Sequence, residues 1–309
     1  MRALAVDVAA ARTQVVEAPV PVAAPGQILV EVRVSAVNEM DVQVRAGGWA
    51  RQVSGFRKAG PVLTGFEFAG VARSDGARIA AGQRVIGYSP VLDGPRTHAQ
   101  FAVINERHVE PIPDDLNDED AAALVVMGLT AIEVLERIRP LQPDRRALVI
   151  GAAGGVGVYS VQLAASQGAT VTAVAGGDNA AWLAGQGAAE IRPREAPYRA
   201  GDRFDLVLDA AGKSSFAQAA PHLAPGGTYV STNPTGDLGG FVRAALSGKR
   251  AGWLMMLRTD PGRLRRLIAL WRAGALKPAI DSVYALEDAD AAFDRFAARG
   301  KRGRVLLKL

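Results

Sequence analysis

The segment VIGAAGGVGVYSVQLAASQGA, Val149 to Ala169, constrains what this chain folds into more than any other stretch. A short apolar strand runs into glycines 151, 154, 155 and 157 and then into a helix through Gln162 to Ser166. A turn without side chains lets the backbone approach a pyrophosphate, which then sits against the unpaired amides of the helix start. The literal G-x-G-x-x-G string is absent, because residues 152–157 read A-A-G-G-V-G with Ala152 where the first glycine would fall. The weight therefore rests on the strand–turn–helix context, against the alternative of a tight turn that holds no ligand. The expected cofactor contacts here are Ala153, Gly154, Gly155, Val156 and Gly157.

Further strand signals follow at 170–174, 204–210 and 226–231, with WLMML (253–257) as the last. Apolar strands alternating with helical segments predict a parallel, doubly wound α/β sheet. Ligands of such sheets lie at the carboxyl ends of the strands, which adds Gly176, Gly177, Asn179, Ala210, Ser231, Thr232 and Asn233 to the expected contacts. Asn233 equally suits an Asn-Pro turn. The second strand ends Val174-Ala175-Gly176-Gly177, with no acid at its tip to hold ribose hydroxyls, so NADP is favoured over NAD. No Lys or Arg follows before Arg192, and Asp178 lies in the loop.

The first third reads as β-structure, with ILVEVRV (28–34) alternating apolar and charged residues and shorter strands at 70–73, 84–88 and 100–103. Asn117 caps a helix that Pro140 ends, and Asp260 caps a second that Gly274 stops. A strand near 282–284, a helix over 288–298 and RVLLKL complete the chain. A length of 309 residues suits two domains.

The net charge of +5 is spread along the chain rather than gathered into an aromatic-laced stripe, which argues against nucleic-acid binding. The longest apolar run, Ala121 to Ile132, is short of the ~18 residues of a membrane span, and Asp7 interrupts any signal-peptide core. A cytoplasmic location is expected. With no cysteine, thiolate–metal sites are impossible, and no metal is expected.

In TGFEFAG (64–70), Glu67 stands between two phenylalanines and glycines. A carboxylate in such a setting needs a partner: a metal neighbourhood, a catalytic task or a hidden cation.

Taken together, VNEMDVQVRAGGW (37–49), GFEFAG (65–70), GQRVIGY (82–88), AAALVVMGLTAIEVL (121–135), AAGGVG (152–157), FDLVLDAAG (204–212) and APGGTYVS (224–231) resemble the zinc-independent quinone oxidoreductases of the medium-chain dehydrogenase/reductase superfamily, nearly end to end. The resemblance implies a GroES-like β-rich substrate domain from residues 1–120 and 266–309, and a Rossmann-type NAD(P)-binding domain from 121–265. The active site would lie in the cleft. In the zinc alcohol dehydrogenases of this superfamily the position of Asn38 is a cysteine ligand and that of Phe66 a histidine ligand; Glu67 then reads as structural, satisfied by hydrogen bonds or an arginine.

Without a Lewis acid, quinones and conjugated enones or enals are the acceptors that need least help. The resemblance places Asn38 near the nicotinamide, with its amide a candidate donor to the developing oxyanion. It puts Gln43 where many relatives carry a tyrosine, and Thr130 near the cofactor. Asp41 and Arg45 suit a structural pair. Trp49, Phe66, Tyr88 and Trp253 are candidates for an apolar pocket, and His98, His108 and His222 are assigned to the surface. The leading expectation is an NADPH-dependent quinone or enone reductase, and a homodimer joined through the WLMML edge. The alternatives are an enoyl-thioester reductase and a non-catalytic NADPH-binding structural or redox-sensing protein.

Overall fold

A computed structural model of the chain describes residues 1–7, 10, 12–48, 62–233, 237–253 and 260–309. It divides into two compact units: Met1–Val126 with Arg258–Ala269 and Pro278–Leu309, and Met127–Leu257 with Leu270–Lys277.

The chain begins with β1 (Arg2–Asp7) and β2 (Arg12–Glu17), an antiparallel pair that the apolar–polar pattern did not announce. In β3 (Gln27–Ala36) the predicted alternation turns Ile28, Val30, Val32 and Val34 inward. A short helix, α1 (Glu39–Arg45), follows, then β4 (Glu67–Ala72), β5 (Arg84–Tyr88), β6 (Phe101–Asn105) and β7 (Val109–Pro111). Glu67 is thus the first residue of a strand that is buried at every position. The helix α2 (Asp118–Ile132) starts where Asn117 Oδ1 accepts the Asp120 amide at 2.8 Å, and runs on as a π-helical turn over Glu133–Ile138.

Next come β8 (Arg146–Ile150), α3 (Gly155–Ser166), β9 (Thr170–Val174), α4 (Ala180–Gly185), β10 (Glu190–Arg192), β11 (Phe204–Asp209), α5 (Phe216–Ala219), β12 (Leu223–Ser231), α6 (Leu238–Leu246) and β13 (Arg250–Trp253). These strands form one six-stranded parallel sheet in the order β10-β9-β8-β11-β12-β13. The strand order reverses between β8 and β11, the switch point at which ligands bind in such sheets. β11 is buried at every position and apolar at Phe204 and Leu206–Leu208, which suits its central place. The last strand begins at Arg250 rather than Trp253, and residues 254–257 of the expected strand lie outside the described residues.

The chain closes with α7 (Pro261–Arg272), β14 (Ile280–Ala285), α8 (Ala289–Ala297) and β15 (Arg304–Lys308). The sheet of the first unit runs β14-β15-β3-β4-β5-β7, with β6 also paired to β3. The C-terminal strand therefore lies beside β3, antiparallel to it, and this brings Arg304 into the interior next to residues more than 200 positions earlier. Leu4, Val37, Phe293, Val305 and Leu307 pack as one apolar cluster, and Ile28, Val30, Phe68 and Ile104 belong to another.

Candidate functional site

In the second unit the glycine turn joins β8 to α3 at the switch point. Gly151 has φ +78°, and a Cβ on Gly157 would lie 2.2 Å from the Gly151 carbonyl oxygen. Only glycine lets the helix start this close to the strand. The Gly151 and Ala152 amides donate to Val174 O, tying the turn to β9. Beyond β9, Asn179 Nδ2 donates to Gly176 O at 2.5 Å, and Gly177, at φ +68°, faces open space. After β11 a Cβ on Gly212 would meet the Cβ of Asn233 at 2.8 Å, so this turn packs against the one after β12. There the Asn233 amide donates to Ser231 Oγ at 3.1 Å, and Thr232 N to Asp209 O at 3.1 Å.

Residues 153–157, Gly176, Gly177, Asn179, Ala210 and 231–233 accordingly stand at the carboxyl ends of four neighbouring strands. The glycine-rich turn at 151–157 fits a dinucleotide phosphate. Thr130 is buried within α2. Asp209, which the sequence reading passed over, is buried and accepts the amides of Ala211, Lys213 and Ser214, fixing the turn beyond β11.

In the first unit Glu67 meets its partner. It is 0% exposed; Oε1 accepts from Arg304 Nη2, and Oε2 from the Val126 amide at 2.5 Å. Arg304 Nη2 also donates to Asn38 Oδ1 at 2.9 Å. Asn38 caps α1, and its own amide nitrogen donates to Asp41 Oδ2 at 2.9 Å while Gly65 N donates to Oδ1 at 2.6 Å. The side-chain amide of Asn38 donates to Ala36 O at 3.1 Å, and the whole residue is 1% exposed. Asn38, Asp41, Glu67 and Arg304 thus form one buried network whose hydrogen bonds point inward.

Burial pushes the Asp41 carboxyl up to about 7, against the opposing pull of the Gly65 and Asn38 amides and the Arg304 guanidinium. Burial raises Glu67 as well, with Arg304 and the Val126 amide opposing.

Other expected side chains are placed differently. Asp41 and Arg45 do not pair: the carboxylate is taken up by backbone amides at the helix start, and Arg45 lies over the Phe293 ring at 4.7 Å and 3.9 Å from Asp290. Gln43 is half-buried and donates to Glu39 Oε1 at 3.1 Å. Phe66 and Tyr88 are fully buried. Trp49 lies outside the described residues, and Trp253 ends β13.

His98 and His108 are interior, contrary to their assignment to the surface. The His98 carbonyl receives the Leu4 amide of β1, which draws its ring inward to bond Thr64 Oγ1 (2.8 Å) and Ala36 O (3.3 Å). Burial lowers its pKa to about 4, so it is neutral.

The donors do not suit zinc. The resemblance puts the cysteine and histidine ligands of zinc relatives at Asn38 and Phe66, and here a guanidinium lies on Asn38 Oδ1 and Glu67. Among the described residues no three His, Cys, Asp or Glu side chains converge, and the remaining residues contain none of these types.

Residues 24–114 match the family model of the alcohol dehydrogenase GroES-like domain, and residues 186–307 that of the zinc-binding dehydrogenases. The quinone oxidoreductase of Mus musculus is 29% identical over 310 residues, covering 94% of this chain and 91% of that protein. A polyketide synthase system protein of Streptomyces orinoci is 32% identical over 312 residues, 95% of this chain but 14% of that much longer protein. The solved quinone oxidoreductase of Coxiella burnetii superposes with a TM-score of 0.91 at 24% identity, over 100% of this chain and 99% of the other.

A GroES-like β-domain carrying a Rossmann-type parallel sheet defines a dehydrogenase/reductase architecture, and the chain is accordingly an oxidoreductase. It belongs, as a quinone oxidoreductase-like member, to the medium-chain dehydrogenase/reductase superfamily. No helix among the described residues is long and apolar enough to cross a membrane.

Proposed function

We propose that the protein is an NADPH-dependent reductase of quinones and other activated alkenes, working without zinc. The observation that carries this reading is the guanidinium of Arg304, held by Glu67 and Asn38 among residues that take the place of zinc ligands in zinc relatives. A site with that donor set favours acceptors that spread the incoming charge themselves, as quinones and enones do on becoming oxyanions.

The bound reduced nicotinamide supplies the hydride. The turn at Gly151–Gly157 receives the pyrophosphate, and Ser231, Thr232 and Asn233 lie at the same edge of the sheet. Asn38 acts here as a positioning residue: it caps α1 and holds Arg304. Gln43 has no titratable proton to give, so water protonates the product. The edge strand β13 supports a homodimer paired along it.

The likeness to a polyketide synthase protein favours one second reading, reduction of an enoyl-thioester. Loss of reduced-nicotinamide absorbance separates the cases, with NADPH and NADH run in parallel against quinones, enones, enals and an enoyl-thioester, chelator present throughout. Turnover of quinones or enones with NADPH supports the proposal. Turnover of the thioester alone supports the second reading. NADPH binding without oxidation by any acceptor rejects both in favour of a non-catalytic role.

A further inference from the structure

The tip of β9 decides which dinucleotide the sheet holds, because the adenosine ribose of a bound dinucleotide lies there. Gly176 leaves that tip without an acid. The loop after β10 fills the space beside it: a Cβ on Gly176 would lie 3.0 Å from both Nε and Cζ of Arg194. The pairing explains this approach. β10 runs parallel to β9 with Arg192 opposite Val174, so residues two beyond each strand leave the sheet on the same edge.

Three arginines crowd this short stretch, and two are committed. Arg192 is buried in a forked pair with Asp202 and also bonds Glu190, and Arg199 pairs with Glu190. Arg194 is exposed, and it alone of the three has no ion-pair partner among the described residues. Pro193, just before it, limits where the loop can carry the side chain.

We infer that Arg194 is the residue that selects NADPH, its guanidinium receiving the 2′-phosphate over the bare backbone of Gly176. The inference rests on the NADPH reading above and names the group responsible. A planar guanidinium and a phosphate dianion form a charge-assisted, bidentate contact. Burying a side chain at 176 would displace the arginine, and an acid there would neutralise it.

The test is calorimetric binding, which needs no turnover. NADPH, NADH, adenosine 2′,5′-bisphosphate and adenosine 5′-monophosphate are titrated into the wild type, Arg194→Ala, Arg194→Lys and Gly176→Asp. Circular dichroism confirms that each variant is folded. The wild type should prefer both 2′-phosphorylated ligands. Arg194→Ala should weaken them about ten- to hundredfold, the range for a hydrogen bond to a charged group, and leave NADH within about threefold. Arg194→Lys should keep part of the preference, and Gly176→Asp should abolish it. A preference that survives Arg194→Ala overturns the assignment while NADPH stands as the cofactor. A wild type that binds NADH as tightly as NADPH overturns the cofactor reading and the assignment with it.

Discussion

Removing Arg304 by Arg304→Met leaves the Glu67 carboxylate in a fully buried position with only the Val126 amide to hold it. The variant has an escape, because Glu67 can take up a proton. From the ordinary value of 4.5, protonation at pH 7 costs about 3.4 kcal/mol, at about 1.36 kcal/mol per unit. The lost hydrogen bond to Asn38 Oδ1 adds about 1 kcal/mol. Arg304→Met should therefore lose at most about 4 to 5 kcal/mol at pH 7, and less by whatever the raised Glu67 already costs the wild type. Near pH 4.5 the protonation part disappears and about 1 kcal/mol remains.

Glu67→Gln behaves differently. It strands a guanidinium that cannot shed its proton, so its cost of about 3–5 kcal/mol should be present at pH 7 and above, and should shrink at lower pH as the wild-type Glu67 itself takes up a proton. The double variant should lose less than the sum of the two. Urea unfolding of all four proteins from pH 4.5 to 8 supplies the cycle. A penalty for Arg304→Met that stays constant with pH, or single losses that simply add, would refute the argument.

The neighbouring carboxyl predicts a pH slope of its own. Asp41 is raised from 3.8 to about 7, so its protonated form is favoured in the folded state. Its contribution is present at low pH and is lost as pH rises from about 4 to 7, by about 1.4 kcal/mol per unit. His98, lowered from 6.5 to about 4, adds the opposite slope over part of that range, so the stability difference between wild type and Asp41→Asn isolates the carboxyl; a difference flat in pH would contradict it. Gly157→Ala forces a methyl onto the Gly151 carbonyl and should destabilise by about 1–3 kcal/mol and lose dinucleotide binding; unchanged binding by calorimetry would reject the cradle. Sedimentation should show a dimer at working concentrations, and only monomer would reject pairing along β13.

Much of the second unit was legible because its signals are local. Strand, glycine turn and helix succeed one another within residues 146–166, and β8, β9, β11 and β12 carry apolar stretches, whereas β10 (EIR) and β13 (RAGW) do not. Glu67 announced its need for a partner, since a carboxylate between two phenylalanines is seldom solvated. The partner was hidden. Arg304 opens the segment RVLLKL, but nothing local to it says that β15 pairs with β3 and turns this arginine inward. A different long-range contact, the bond from β1 to the His98 carbonyl, concealed the burial of His98. Arg194 was obscured for another reason: a loop of prolines, arginines and glutamate has no periodicity, and only the parallel register of β9 and β10 shows which arginine reaches Gly176.

The most direct test of the central claim follows the hydride itself. Enzyme treated with chelator is incubated with a conjugated enone and NADPH deuterated at the transferring position of nicotinamide C4, and the product is analysed by mass spectrometry and NMR. Hydride transfer to an activated alkene predicts one deuterium at the β-carbon and a solvent proton at the α-carbon. A saturated product without deuterium at the β-carbon, or an enone left unreduced by enzyme that binds NADPH and fails equally with quinones, would contradict the account.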